Sequence, residues 1–521
     1  MATATDTAMA AMTRLRPETR LLPLAVALLS LAAQAQEGQG GRGAITPRFS
    51  LTQTWTDNLR LSDQNKDAAL ITTVSPGISV SRNSGTFRGS LDYSLNGISY
   101  LKTDVPSQIQ NALSANLQAE LLPQTLTVEA QANIARQNVS AFGQQANSVL
   151  GTGGVSPLSN LNSREVGSLT VSPQWRSQLG GLAAVSLRGN LAMTEVRGSA
   201  LGDSRSTGAT LQLTQLSPGI LGWYAQASTQ QMRPKLAQAN RNSTLTLGAN
   251  YRPDPDLALS ANVGEERSNY LSASGEANDS RTWGVTGDWT PTSRTRLSAN
   301  YQSHRYGDTR GLVFEHRMRN SVWRYSDTRS VIVGNSGSSG SVRTNYDLYS
   351  LLLTSVEPDP VKRDALVRAA LQSLGLSPDA PVSQGFLSSG PSQTRSQQLS
   401  FTLQGVRTNV TAAATRTLSS RLGSGLNQGD LATNAFVEQR SYSLSGSYQL
   451  SPVSGLSLTA SRQESQGDGT GRATQLTSWF ANWNTRLGSG LSVQLGARHS
   501  RFESTAPYSE NSVYGTVSQQ F

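Results

Sequence analysis

The chain contains no cysteine, which excludes disulfides, thiolate nucleophiles and cysteine-ligated metals. Histidine is nearly as scarce: His304, His316 and His499 are the only three, and their spacing fits no metal-ligand pattern. The GxSxG, HExxH and phosphate-loop motifs are missing too, and no EF-hand spacing marks a calcium loop. The chain therefore reads as a non-enzyme that needs no cofactor. His304 with Asp308 is the one pair of catalytic type, and a solvated pair at a rim explains it better. Apolar residues make up only 36% of the sequence, thinly spread, where a soluble sandwich of this many segments needs core strands denser in Val, Ile and Phe.

A single long apolar run occurs, at Leu21 to Leu31. Arg14, Arg16 and Arg20 precede it, and Ala33, Gln34 and Ala35 follow as a small-residue cleavage site. The run is too short and wrongly flanked for a membrane-spanning helix, so residues 1–35 are expected to be a signal peptide and 36–521 the mature chain. The net charge is +10, and residues 1–35 contribute +1 of it (three Arg less Asp6 and Glu18). The mature chain is thus basic, almost entirely through arginine. For an exported protein this points to anionic lipid head groups or an anionic polymer rather than nucleic acid.

Residues 281–305 show how the rest is built. Trp283, Val285 and Trp289 alternate with Thr282, Gly284, Thr286 and Asp288; Leu297, Ala299 and Tyr301 alternate with Arg296, Ser298, Asn300 and Gln302. Period-two alternation puts one apolar and one polar face on each strand, and Thr290 to Ser293 supply a turn. The same hairpin recurs at 245–263 and 442–460. About 22 such segments follow one another, each about the length of a tilted membrane strand. The predicted fold is an all-β, antiparallel transmembrane β-barrel of about 22 strands, with 20 as the fallback.

Connection lengths alternate between short and long, as periplasmic turns and outer loops do. Tyr306 to Asp308 is the short exception on the outer side. The last strand carries Val513, Val517 and Phe521 on one parity, and a terminal aromatic is the expected assembly signal for the barrel-assembly machinery. Strands begin about ten residues after the cleavage site, which leaves no room for a plug domain. Residues 333–394 form one long outer loop, in which Pro358, Asp359 and Pro360 open a short amphipathic helix closed by Gly375. This loop is expected to fold inward and restrict the lumen.

Lumen parity gathers a basic sector, Arg296, His304, Arg317 and Arg324, with Glu315 nearby, as the candidate solute contact. An arginine facing lipid at mid-membrane costs on the order of 2–4 kcal/mol, which forces these side chains inward. They either contact an anionic solute or pair with Glu315 and Asp288. Arg416 and Arg462 have outward parity; they reach outer-leaflet phosphates, or a bulge has shifted their register.

Two stretches also resemble a known family. Trp289 to Arg294, then Arg305 to Asp308, then His316, Arg317, Arg319, Ser321 and Trp323, with Pro358, Asp359, Pro360, Arg363, Val367, Leu371, Gly375 and Leu376, are similar to the PEP-CTERM system-associated outer-membrane β-barrels. The resemblance implies an outer-membrane barrel of Gram-negative bacteria associated with exopolysaccharide loci, and no catalytic residues. The expected function is a pore or export component for polysaccharide, with a non-conducting structural barrel as the alternative and an outer-membrane hydrolase as a remote one. Expected partners are outer-membrane lipid and lipopolysaccharide, the assembly machinery and an anionic polysaccharide.

Overall fold

In the computed structural model the described residues are 44–521, except 147–156, most of 334–384, 424–427, 470–472 and positions 218, 273 and 489. The expected leader, 1–35, lies outside them. The first half of the chain forms β1 (Ala44–Thr56), β2 (Ala69–Asn83), β3 (Phe87–Leu101), β4 (Gln108–Leu122), β5 (Leu126–Asn138), β6 (Ser163–Leu179), β7 (Ala183–Val196), β8 (Ser199–Gln215), β9 (Leu221–Pro234), β10 (Asn240–Asp254) and β11 (Leu257–Ser268). The second half forms β12 (Asn278–Thr292), β13 (Thr295–Ser303), β14 (Thr309–Arg317), β15 (Ser321–Val333), β16 (Pro391–Gln404), β17 (Thr408–Arg421), β18 (Phe436–Ser451), β19 (Ser454–Gly467), β20 (Ala473–Arg486), β21 (Leu491–Glu503) and β22 (Tyr508–Gln520). One short helix, α1 (Asp430–Thr433), lies between β17 and β18.

Each strand pairs antiparallel with its sequence neighbours, and β22 closes on β1 from Arg48↔Gln520 to Thr56↔Ser512. Closure leaves no free sheet edge, so the backbone donors of the wall pair from strand to strand rather than with water. The protein is a 22-stranded antiparallel outer-membrane barrel.

The alternation sorts the side chains. Leu51, Trp55, Leu247, Val263, Leu444, Leu458, Trp479 and Val513 point outward and are exposed to the lipid. Trp175, Trp223, Tyr251, Trp289, Trp323 and Tyr448 sit outward near the periplasmic strand ends, where an indole or phenol can face both chains and head groups. Within the 281–305 hairpin Val285 faces Tyr301 and Trp289 faces Leu297, and the rings of Trp283 and Tyr301 lie 5.3 Å apart. On the inner face Tyr514 lies over Gly496 and Tyr224 over Gly248, each directly across the strand pair. A Cβ on either glycine would come 2.3 Å from the ring, so only glycine lets the aromatic lie flat there.

Some boundaries differ from expectation. β8 begins at Ser199, so Arg197 and Gly198 alone join β7 to β8 on the outer side; Gly198 supplies the positive φ (72°). The Tyr306 to Asp308 connection is likewise a genuine short outer turn. Arg363 and Val367, inside the expected loop helix, have helical backbone; the rest of that helix lies outside the described residues.

Candidate functional site: the lumenal wall and its outer closure

Arg296 on β13, Glu315 on β14 and Arg324 on β15 stand opposite one another in register on the inner face. Arg324 Nη1 lies 3.0 Å from Glu315 and Arg317 Nε 3.7 Å from the same carboxylate, while Arg296 reaches Asp288 at 3.8 Å. Arg317 also donates to the Ser293 carbonyl at 2.8 Å. The three arginines form one cluster near the periplasmic end, with two carboxylates between them. Arg296 is the most open of the three, with its side chain 66% exposed.

His304 is not part of that cluster. It stands at the other end of β13, roughly 25 Å up the strand at about 3.4 Å per residue. Its Nδ1 lies 2.9 Å from Glu266 Oε2, its Nε2 3.4 Å from the Thr309 hydroxyl, and its ring stacks on Tyr306 at 4.7 Å. Asp308 pairs instead with Arg329 at 2.9 Å, so the His304–Asp308 pair does not form. Tyr306 and Tyr270, whose rings are 5.3 Å apart, cover this nest. Burial, and then the Glu266 carboxylate, push both phenols up, Tyr270 to about 12, so both stay protonated at neutral pH. The histidine is held in a packed polar nest. Among the described residues no three His, Asp or Glu side chains could hold a metal ion.

Among the described residues, loop segments from three places in the chain cover the outer end of the lumen. Residues 139–146 and 157–162, between β5 and β6, turn inward. Ala146 and Leu158 join Leu59 and Leu61 of the β1–β2 loop in an apolar cluster against Ile71, Ile98, Leu476, Phe502 and Tyr508 on the inner wall. Polar contacts fix the loop: Tyr100 Oη donates to the Pro157 carbonyl at 3.0 Å, Tyr508 Oη donates to the Gln145 carbonyl, and Gln144 Nε2 donates to the Leu61 carbonyl at 2.6 Å. Leu61 holds a positive φ of 55°, a strained conformation for leucine that its full burial sustains. From the opposite wall, Asp430 of α1 accepts from Ser140 Oγ at 2.7 Å and from the Ala141 amide at 2.6 Å. Between them runs the end of the long loop: Phe386 bridges Asn138, Ser388 bridges Gly429, and Leu387 packs on Val166 and Val196.

Inner side chains record the result. Thr54, Thr56, Ser478, Glu510 and Ser512 are buried toward the outer end, and Arg176, Gln178 and Gln449 near the periplasmic end are exposed, but Val322, Thr402 and Thr411 at the periplasmic ends of β15 to β17 are buried. One ion pair is sealed inside: Arg498 meets Glu510 through Nε at 3.0 Å and Nη2 at 2.7 Å, and Thr56 donates to the same carboxylate at 2.9 Å.

Parity found Arg296, Arg317 and Arg324, because inward direction is a property of the strand. It missed Asp430, whose partners Ser140 and Ala141 are about 290 positions away, Glu266, met by His304 two strands on, and Glu510, which pairs with Arg498 on the neighbouring strand but is sealed by Thr56 from the other end of the chain. Tyr100 and Tyr508 did carry a signal: large aromatics on the polar parity at the outer ends of strands need something apolar to cover them. Phe521 faces outward at the periplasmic end, its amide bonded to the Pro47 carbonyl at 3.0 Å.

No protein-family model and no curated protein matches the chain. Solved structures with similar architecture include the FrpB iron transporter from Neisseria meningitidis (F5-1 variant; 10% identity, 91% of this chain and 82% of that one, TM-score 0.48). They also include the siderophore receptor PirA from Acinetobacter baumannii (8% identity, 93% and 81%, TM-score 0.47). A third is BauA, the ferric preacinetobactin receptor of the same species (12% identity, 91% and 80%, TM-score 0.46). Likenesses this distant assign no substrate. They do correct the PEP-CTERM resemblance: no family model supports it, and the solved barrels that align over most of the chain include iron and siderophore receptors. The residues that suggested it serve generic barrel purposes. Thr292 and Thr295 close a periplasmic turn through their hydroxyls at 3.1 Å, and Trp323 packs at a tilt of 43° against Phe401, ring centres 4.4 Å apart, in the outward aromatic belt. The expectation of exopolysaccharide export, and of an anionic polysaccharide partner, is withdrawn with it.

Proposed function

We propose that the barrel admits a small hydrophilic, preferentially anionic solute across the outer membrane, with the outer end as the gate. The observation that supports this most is the asymmetry along the lumen. Its outer end is covered by loop segments that meet at Asp430, Ser140 and Ala141, while Arg176, Gln178, Arg296 and Gln449 stand open toward the periplasm. Hydrogen bonds between loops are a closure that can part and re-form, unlike the continuous ladder of the wall. Three arginines against two carboxylates near the exit favour anions modestly.

The test is single-channel conductance of the folded protein in a planar bilayer, comparing the native chain with Asp430→Ala. The expected result is rare, small openings in the native protein and sustained, anion-preferring currents in the variant. Silence from both folded proteins would sink the reading and leave a non-conducting barrel.

A further inference from the structure

The outer wall carries a feature that solute passage does not use. Arg310, Arg329 and Arg395 face outward directly opposite one another on β14, β15 and β16; Arg416 and Arg440 do the same on β17 and β18, and Arg462 follows on β19. The β17–β18 register runs unbroken from Thr408 to Ser420, so no bulge has turned Arg416 outward. Like charges in direct cross-strand opposition destabilise a sheet, and this row needs anions.

The chain supplies some of them. Asp327 takes Arg395 at 2.9 Å, Asp308 takes Arg329 at 2.9 Å, Glu438 takes both Arg416 at 2.8 Å and Arg440 at 2.6 Å, and Glu464 takes Arg462 at 2.7 Å. Five of the six arginines thus share four carboxylates. Among the described residues Arg310 has no carboxylate in salt-bridge range, and its Nε is buried without a hydrogen-bond partner. Arg416, Arg440 and Arg462 keep 43–52% of their side chains open, on the side that faces the membrane.

Immediately toward the membrane on the same face the wall turns apolar. Tyr325, Leu399, Ala414 and Tyr442 form one cross-strand row, and Trp323, Phe401, Ala412 and Leu444 the next. Ala412 and Ala414 are flanked in register by Phe401 and Leu399 on one side and Leu444 and Tyr442 on the other, so side-chain bulk is lowest along β17 up to Arg416. A head that is multiply anionic above and a hydrocarbon chain below describe one amphiphile.

We propose that this face, centred on Arg329, Arg395, Arg416 and Arg440, binds a phosphorylated glycolipid of the outer leaflet, with its phosphates on the arginines and one acyl chain along Ala412 and Ala414. Arginine forks match phosphate oxygens two at a time, so the site distinguishes phosphate from an unphosphorylated sugar head group. The site is continuous with the lipid-facing band, which keeps its ligand at very high local concentration.

The experiment is native mass spectrometry of the folded barrel in detergent with bisphosphorylated, hexa-acylated lipid A, its dephosphorylated form, or inorganic phosphate as competitor. Three proteins are compared: native, R329Q/R395Q/R416Q, and R205Q/R241Q/R281Q, which removes three outward arginines elsewhere on the wall. Retention of the bisphosphorylated lipid is expected to fall about fivefold for each arginine removed from the site, roughly a hundredfold in all, and to change little in the second variant. Equal losses in both variants, equal retention of the dephosphorylated lipid, or displacement by millimolar phosphate would overturn the proposal. If the glutamine variant does not reach the heat-modifiable folded form, R329K/R395K/R416K decides: it keeps charge but loses the fork, so several-fold weaker retention supports the site and native retention overturns it.

Discussion

Two sectors of the lumenal wall are built from the same alternating strands and have opposite character. From β20 through β22 and β1 to β4 the inner face is covered by loops, and polar groups there are buried in pairs: Arg498 with Glu510, and Ser478 with Ser500 at 3.1 Å. Along β12 to β15 the inner face near the periplasm is open at Arg296 and Asp288, with 66% and 43% of their side chains exposed, and its arginines reach their carboxylates at 3.0–3.8 Å, although Val322 beside them is buried. The difference lies in what is removed from water. A buried ion pair must satisfy itself internally because desolvation is costly, whereas a solvated pair contributes little and stays available to a passing ion.

The comparison breaks most visibly at Glu510. Glu510→Ala removes the carboxylate against a buried Arg498 and is expected to cost about 3–5 kcal/mol, read as a lowered urea midpoint of the folded barrel. If the midpoint stays put, this sector is not sealed in solution. Asp430→Ala takes two hydrogen bonds from the closure and should weaken it by about 2–3 kcal/mol, seen as faster amide exchange confined to residues 139–146. Exchange rising across the whole barrel instead would mean that the loop and the wall unfold together.

Smaller changes sharpen the same contrast. Tyr508→Phe deletes one hydrogen bond to the Gln145 carbonyl but keeps the ring against Phe502, so about 1 kcal/mol is expected, again from the urea midpoint. Arg296→Ala in the wet sector should move stability by less than about 0.5 kcal/mol. Its signature is a loss of anion preference in the reversal potential of the opened Asp430→Ala barrel. A large stability loss there would erase the distinction between the sectors.

Strand count, direction and facing were legible in the text, because a two-residue period needs no partner to define it. Trp283, Val285 and Trp289 announce their outward face by themselves, and the inward direction of Arg296, Arg317 and Arg324 follows from it. The placement of His304 was misleading for a definite reason: parity gives direction but not height, and His304 belongs to the opposite end of its strand. The family resemblance failed at the same level, since its short motifs lie in turns and an aromatic belt that barrels share. Which loop closes the lumen was also beyond the text. Residues 139–162 look like any polar outer loop until Tyr100 and Tyr508, about 400 positions apart, are brought to the same wall.

The sequence by itself determined an all-β chain of alternating strands, the outward and inward faces of each, and hence a barrel that lives in a membrane. Alternation is local, and lipid on one side with water on the other is enough to select it. Only the tertiary structure decided which part of the lumen is dry, which carboxylate meets which arginine, and where six arginines gather on the outer wall. The first depends on loop contacts between residues hundreds of positions apart, which barrel closure brings together; the other two depend on the register between neighbouring strands, which the text alone does not fix.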